Sequence, residues 1–243
     1  MDVSASVGLL VPTDWGDLVL LGSISPVSGI LEQVLVRDLS VEVDAVFSGA
    51  VTYWQGKYGF RAHAGLSRST LVFGEPLGGG GDPFTADIDT WFYDVRGAIG
   101  LVEYSPGRRI WPYVFVGFGG ITYDLERPVS PPLLTFIERG PTIQPDIVVV
   151  EDDGTQFIVA VDELRTETVL ALNFGVGADF RIPMGAAGIG LRVELSDHVA
   201  RSPVGLRIRE LSPLGGLASD STVHFGRVHH LRASAGLVVQ VGR

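Results

Sequence analysis

The chain of 243 residues lacks cysteine, and Lys57 is its only lysine. Without cysteine it has no disulfide framework, no thiolate nucleophile and no sulfur ligand for a metal. Its formal net charge of -10 at pH 7 argues against a nucleic-acid partner, which would need a basic surface. We therefore expect neither sulfur chemistry nor nucleic-acid binding.

The chain also lacks an apolar run of the roughly 18 residues that a membrane-spanning helix needs. Its mean hydropathy is nevertheless +0.30. Apolar residues that are numerous but occur only in short runs favour strands. Residues 1–5 show neither the basic nor the apolar region of a secretion signal. Either the protein is cytosolic or a signal has been removed, and the strand pattern favours the second interpretation.

Recognisable catalytic motifs are absent as well. The sequence contains no G-x-S-x-G, H-E-x-x-H or P-loop motif. The nearest approach to a hydrolytic trio is His63, Ser67 and Ser69, which follow one strand instead of converging. Four histidines could in principle bind a transition metal, namely His198, His224, His229 and His230. No well-spaced carboxylate supports a metal site there. We predict no enzyme activity, no catalytic residue, no metal and no cofactor.

Alternation of apolar and polar residues is the feature that the chain has in abundance. In the first segment Val3, Ala5 and Val7 alternate with polar or small residues, the pattern of a strand with two different faces. The same design occurs eight times, in residues 2–9, 41–53, 58–69, 91–101, 111–123, 170–182, 189–198 and 230–241. These segments predict eight antiparallel strands.

The connections between these segments are alternately short and long. Short turns with glycine or proline occupy residues 55–57, 105–110 and 183–187. Long connections occupy residues 12–40, 74–88, 126–166 and 202–228. Because all short turns fall at one end, we predict a single domain, 1–243, that forms an up-and-down transmembrane β-barrel. Its short turns would be periplasmic and its long loops extracellular.

Aromatic residues gather in two bands about ten residues apart, as in the aromatic girdles of a membrane barrel. Beside the short turns are Tyr53, Trp54, Tyr58, Tyr104, Trp111 and Tyr113; near the long loops are Phe73, Trp91, Phe92, Tyr93 and Tyr123. We also expect Leu172, Phe174, Val193, Leu195, Leu237 and Val239 to face lipid.

On these strands, turns and girdles the chain resembles the small eight-stranded outer-membrane β-barrel family, which includes the transmembrane domain of outer membrane protein A. The resemblance covers the whole chain and implies a bacterial outer-membrane location in contact with lipid. The expected function is an integral barrel with a plugged lumen, whose outer loops serve structural, adhesion or assembly roles. The alternatives are a porin-like channel for small solutes and a soluble lipocalin-type barrel with its apolar face inside.

Charged residues occur on the polar faces of the predicted strands. The lumen of an eight-stranded barrel is just wide enough to be filled by side chains, so charges there must pair. The expected network consists of Glu42, Arg61, Asp94, Arg96, Asp179, Arg181, Arg192, Glu194 and Arg232. We predict that each of Arg96, Arg192 and Arg232 lies within ion-pair distance of a carboxylate of this set.

The third long connection contains a candidate hairpin. Residues 146–150 and 156–161 are rich in β-branched and aromatic side chains, including Ile147, Val149, Phe157 and Val159, and flank an acidic turn. We expect this hairpin to pack against residues between Leu18 and Val36 and to offer a surface for a protein partner or self-association. A second hairpin is predicted in the first connection, at residues 18–24 and 30–37.

Overall fold

The computed structural model describes residues 1–13, 16–24, 31–73, 84–102, 109–125, 147–150, 156–161, 166–184, 187–203, 205–211, 217–224 and 226–240. The regular elements in these ranges are all β-strands. They are β1 Asp2–Pro12, β2 Gly16–Ile24, β3 Leu31–Val41, β4 Asp44–Gln55, β5 Tyr58–Phe73, β6 Phe84–Gly100, β7 Ile110–Leu125, β8 Ile147–Val150, β9 Gln156–Val161, β10 Glu167–Met184, β11 Ala187–Arg201, β12 Gly205–Leu211, β13 Leu217–His224 and β14 Arg227–Gln240. Among the described residues there is no helix long and apolar enough to cross a membrane.

Eight of these strands close into one antiparallel barrel. Their order around the wall is β4, β1, β14, β11, β10, β7, β6 and β5, and β5 pairs again with β4. The first and last strands of the chain meet along their length, from Asp2 opposite Gln240 to Pro12 opposite His230. Closure leaves the wall without a free edge. The predicted eight-stranded antiparallel barrel is confirmed, and each of the eight predicted segments overlaps one of its strands.

Tight turns join barrel strands at one end. Gln55 pairs with Tyr58, so Gly56 and Lys57 alone connect β4 to β5. Gly56 has a φ of 58°, which glycine adopts readily at the first central position of a two-residue hairpin loop. Met184 pairs with Ala187 in the same manner between β10 and β11. These two short connections are confirmed, and the third links β6 to β7 at the same end.

The second long connection is shorter than predicted. β6 begins at Phe84, opposite Phe73 of β5, so residues 84–88 belong to the wall. Asp87 and Asp89 lie on its outward face, while Ile88 is buried inside. The alternation therefore continues with its polarity reversed, which is why the sequence pattern did not mark this part of the strand.

The first long connection contains the predicted hairpin. β2 and β3 pair antiparallel, with Val19 opposite Leu35. The end of β3 also pairs with β5, from Leu39 opposite Phe73 to Val41 opposite Leu71. The hairpin thereby extends the barrel sheet beyond its closed part.

The third long connection contains the second predicted hairpin, β8 and β9. Ile147 lies opposite Val159, and Val149 lies opposite Phe157; the acidic turn at 151–155 lies outside the described residues. β9 also pairs with β12, and β12 pairs with β13, in a sheet of order β13, β12, β9, β8. The hairpin was expected to pack against residues between Leu18 and Val36 of the first long connection. The strand that pairs with it is instead β12 of the fourth long connection, which hydrogen-bonds to the open edge of β9.

The two faces of the barrel wall have opposite polarity. Large apolar side chains are exposed on the outside of all eight strands, among them Leu9, Phe47, Phe60, Tyr93, Phe118, Leu172, Leu195 and Leu237. The six residues expected to face outward all do so, with Leu172 63% and Val193 42% exposed. Most of the buried charged side chains point inward. The barrel is thus apolar outside and polar inside.

Candidate functional site

The barrel interior brings together eight of the nine residues expected in the charge network. Arg61, Asp94, Arg96, Asp179, Arg181, Arg192, Glu194 and Arg232 all lie on inward faces, and all are buried or nearly so. Alternation along each strand is sufficient to place them there. Their contacts fall into three layers between the short turns and the long connections.

The layer nearest the short turns is centred on Asp179. Arg192 donates to both of its carboxylate oxygens, from Nε at 2.7 Å and from Nη2 at 2.9 Å. Arg181 Nη2 donates to Asp179 Oδ2 at 2.7 Å and to Asp2 Oδ2 at 2.8 Å. Arg192 also donates to Ser4 Oγ. Two arginines and two carboxylates thus balance one another, in the bidentate geometry that makes strong ion pairs.

The middle layer is centred on Glu194. Its Oε1 pairs with Arg61 Nη1 and accepts a hydrogen bond from the Tyr113 hydroxyl at 2.6 Å. Arg96 Nη1 lies 3.8 Å from the other carboxylate oxygen. Arg61 also donates from Nε to Thr52 Oγ1 at 2.9 Å. Glu194 is therefore held by two arginines and a phenol.

The layer nearest the long connections is centred on Asp94. Arg96 donates hydrogen bonds to both of its carboxylate oxygens, from Nε to Oδ1 and from Nη2 to Oδ2. His63 Nδ1 lies 2.9 Å and His198 Nε2 lies 3.2 Å from Asp94 Oδ2. Arg232 Nη1 lies 2.8 Å from His63 Nε2. One carboxylate thus organises an arginine and two imidazoles, and His63 links it to a second arginine.

The prediction that Arg232 forms an ion pair with a carboxylate is wrong. Arg96 and Arg192 do have carboxylate partners, but among the described residues Arg232 has none within ion-pair distance. The reason is geometric. His63 lies between Arg232 and Asp94 and makes the hydrogen bond that the carboxylate would otherwise make.

Glu42 was also expected in the network and does not belong to it. It lies between β3 and β4, where its side chain is exposed. Its amide donates to the Thr70 carbonyl, and its own carbonyl accepts from Ser69 Oγ. The predicted strand breaks at this point: β4 begins at Asp44, two residues after Glu42, so the alternation that would have pointed Glu42 inward does not reach it.

Apolar residues close the interior above and below the charged layers. At the long-connection end a buried cluster, the apolar plug, comprises Leu10, Val41, Val46, Leu71, Ile88, Phe92, Ile121, Tyr123, Leu125, Val169, Ala171, Ala200 and Val228. At the short-turn end the rings of Trp54 and Trp111 have centroids 4.5 Å apart, and Tyr113 packs on Trp54. The charged layers therefore lie between two apolar closures.

Several aromatic residues expected in the outer girdles point inward. Trp111, Tyr113 and Tyr123 of β7 are buried, as is Phe92 of β6. Val114, Val116 and Phe118 take the outward face of β7 instead. Both faces of this strand are apolar, so period-two alternation did not distinguish them. The inward rings cover guanidinium groups, as Trp111 does at 4.9 Å from Arg181.

Glycine makes room for these large interior side chains. A Cβ atom at Gly117 would lie 2.9 Å from Cγ of Arg96, closer than real side chains approach. At Gly65 a Cβ atom would be in ordinary contact with Arg232, 3.6 Å from Nη1, and in tighter contact with Cβ of Ser48 at 3.2 Å. The glycines of the inward faces therefore belong to the architecture of the charged layers.

Three side chains in the Asp94 layer have metal-ligand chemistry. One ligand atom from each of His63, Asp94 and His198 falls within a 4.8 Å cluster. The same groups are already bonded to Arg96 and Arg232, whose positive charges oppose a cation. The arrangement fits an ion-pair network better than a metal centre. His198 and His230 lie opposite each other and point inward, as expected.

The trio of His63, Ser67 and Ser69 does not converge. Ser67 Oγ donates to the Ala45 carbonyl at 3.0 Å, and Ser69 Oγ donates to Glu42. Both ring nitrogens of His63 are hydrogen-bonded, Nδ1 to Asp94 and Nε2 to Arg232. The hydroxyls thus bond to backbone, and in the described ranges the imidazole has no hydroxyl partner to activate.

Sequence reasoning did not include several members of the network, among them Asp2, His63, His198 and Tyr113. Asp2 and His63 lie on polar faces of alternating segments, so the signal that identified the other charges was also present for them. Tyr113 carried no such signal, because its strand is apolar on both faces.

No protein-family model matches the chain, and no curated protein sequence matches it either. The fold assignment therefore rests on strand pairing and on the polarity of the two faces.

Proposed function

We propose that this protein is an integral β-barrel of the bacterial outer membrane, related in architecture to the small eight-stranded barrels. The inverted polarity of its wall carries the proposal. Residues such as Phe118 and Leu172 are 66% and 63% exposed, whereas Arg61, Arg96 and Arg232 are each 1% exposed. Water would strongly penalise an apolar belt on all eight strands, and a bilayer removes that penalty. The same polarity argues against the lipocalin-type alternative.

Aromatic side chains that do face outward support this orientation. Tyr53, Tyr58 and Phe60 are exposed beside the Gly56 turn, and Trp91 and Tyr93 are exposed toward the opposite end. Such rings are favoured at the two boundaries between lipid and water. Beyond the second band, Asp87 and Asp89 occupy the outward face of β6, which fits a strand that continues into water.

We further propose that the barrel acts by display and neither transports solutes nor catalyses a reaction. The apolar plug and the Trp54–Trp111 contact oppose passage of ions or solutes through the charged layers. The strands β8, β9, β12 and β13 form a second sheet that shares no strand with the barrel sheet. Its edge strands β8 and β13 offer unpaired backbone groups in the described part of the chain. Strand addition by a protein partner or a second copy would use such edges.

Quenching by brominated phospholipid tests the membrane proposal. Trp91 is 45% exposed on the outward face, whereas Trp111 is 2% exposed inside. Two variants would each retain one of these tryptophans and carry phenylalanine at the other tryptophan positions. After refolding into vesicles, brominated acyl chains should quench Trp91 strongly and Trp111 weakly.

Two outcomes would contradict the proposal. The first is a protein that stays soluble and monomeric without detergent. The second is equal quenching of Trp91 and Trp111, since it would remove the distinction between a lipid-facing and an interior side chain. Fractionation of the cells that make the protein provides a separate check of its location.

A further inference from the structure

Four inward-facing residues on β11 and β14 form a patch of unsatisfied polar atoms. Ser196 lies opposite Arg232, and His198 lies opposite His230 on the same two strands. All four side chains are buried. In the described part of the chain, five of their atoms have no hydrogen-bond partner: Ser196 Oγ, His198 Nδ1, His230 Nδ1, and Nε and Nη2 of Arg232. Buried polar groups are nearly always bonded, so this concentration indicates a missing partner.

The charge balance of the interior identifies the sign of that partner. Among the described residues, five buried arginines share the barrel interior with four inward-facing carboxylates: the arginines are Arg61, Arg96, Arg181, Arg192 and Arg232, and the carboxylates are those of Asp2, Asp94, Asp179 and Glu194. Asp197 is also buried, but it lies on the outward face of β11 and pairs with His229. Four of the arginines have carboxylate partners. Arg232 is the exception, and Asp44, which is half-buried at the rim, is not within ion-pair distance of it. Over the described residues one positive charge is thus in excess, at Arg232, which has two guanidinium nitrogens without a hydrogen-bond partner.

His63 does not compensate for this charge. A guanidinium group can only donate, so His63 Nε2 must accept the hydrogen bond from Arg232. The ring proton then lies on Nδ1, which donates to Asp94 Oδ2, and the imidazole is neutral. The Phe92 ring packs against the two neighbouring histidines, with its centroid 5.1 Å from that of His198 and 5.7 Å from that of His230. An uncompensated charge in such surroundings is strongly destabilising.

We propose that the barrel interior binds one small monovalent anion, chloride in the natural setting, between the Arg232 guanidinium and the Ser196 hydroxyl. A single excess positive charge calls for a monovalent anion. The unsatisfied N–H and O–H groups supply donors, and the adjacent Phe92 and apolar plug keep the site from bulk water. This inference concerns the closed interior alone and does not depend on which membrane surrounds the barrel.

Halide replacement tests the proposal directly. Wild-type protein, Arg232→Met and Arg68→Met are refolded from urea in detergent with chloride, bromide or gluconate at equal ionic strength. Arg68 is the matched control, because it is 78% exposed and pairs with Asp89 on the outer surface. Crystals grown in bromide are measured at the bromine absorption edge, and unfolding is followed as the chloride concentration rises.

We expect an anomalous bromide peak within about 3.5 Å of Arg232 Nε or Nη2 in the wild type and in Arg68→Met. We also expect their unfolding constant to fall about tenfold for each tenfold rise in chloride above the dissociation constant. Arg232→Met should show no peak at this site and no specific dependence on chloride.

Three results would overturn the proposal. One is wild-type stability that is the same in chloride and in gluconate, which can be measured even if Arg232→Met fails to fold. Another is a bromide peak that persists in Arg232→Met, because it would mark an adventitious ion only. The last is density beside Arg232 without anomalous signal, since a water molecule would then satisfy the donors.

Discussion

Replacing Asp179 with asparagine removes one charge from the interior while changing almost no volume. Asp179 is fully buried and accepts two hydrogen bonds from Arg192 and one from Arg181. After the change both guanidinium groups depend on Asp2, which lies 2.8 Å from Arg181 but 3.9 Å from Arg192. Removing one partner of a buried ion pair costs about 3–5 kcal/mol. We expect Asp179→Asn to lower the free energy of unfolding by that amount.

Reversible urea unfolding of the protein refolded in phospholipid vesicles measures this cost. The control is Asp89→Asn, which breaks the exposed pair with Arg68 and should cost less than about 1 kcal/mol. Combining Asp179→Leu with Arg192→Met removes both partners and should recover much of the loss. Equal costs for the two asparagine variants would refute the reasoning, because the interior charges would then be hydrated like surface charges.

Three further outcomes are expected. Val193→Arg, on the outward face, should cost about 2–4 kcal/mol in vesicles if it lies near the bilayer midplane; a negligible cost by urea unfolding would argue against lipid contact there. Deleting residues 146–161 should leave the barrel folded by circular dichroism, since β8 pairs with β9 and β9 pairs with β12, none of which is a strand of the barrel wall. Loss of the barrel would mean that this segment supports the wall. The wild type should give no steady conductance in planar bilayers, because the apolar plug closes one end; steady channels would contradict a closed interior.

Much of the barrel could be predicted because most of its strands have two chemically different faces. Alternation around Leu172, Leu195 and Leu237 was enough to orient β10, β11 and β14. The turn at Gly56 was predictable from residue type, since few other residues tolerate its backbone conformation. Local chemistry therefore determines the strand count, the short turns and most inward charges.

The remaining features depend on tertiary contacts that no local pattern encodes. Trp111 and Tyr113 point inward, where arginines of other strands contact their rings, as in the 4.9 Å contact of Arg181 with Trp111 and the 5.1 Å contact of Arg61 with Tyr113. The pairing of Arg232 with His63 likewise depends on which strands face each other once the wall is closed. The pairing of β9 with β12 joins two connections that are distant in sequence.

Many interior contacts join strands that are far apart around the wall. Arg61 on β5 and Glu194 on β11 are half a circumference apart, and Arg232 reaches His63 across two intervening strands. In a partly assembled sheet these side chains have no partner, since the strands face each other only after closure. We expect such contacts to be absent from an early folding transition state, in which case they slow unfolding without speeding folding. Neighbouring-strand pairing then governs how fast the barrel assembles, and the cross-lumen ion pairs govern how long it persists.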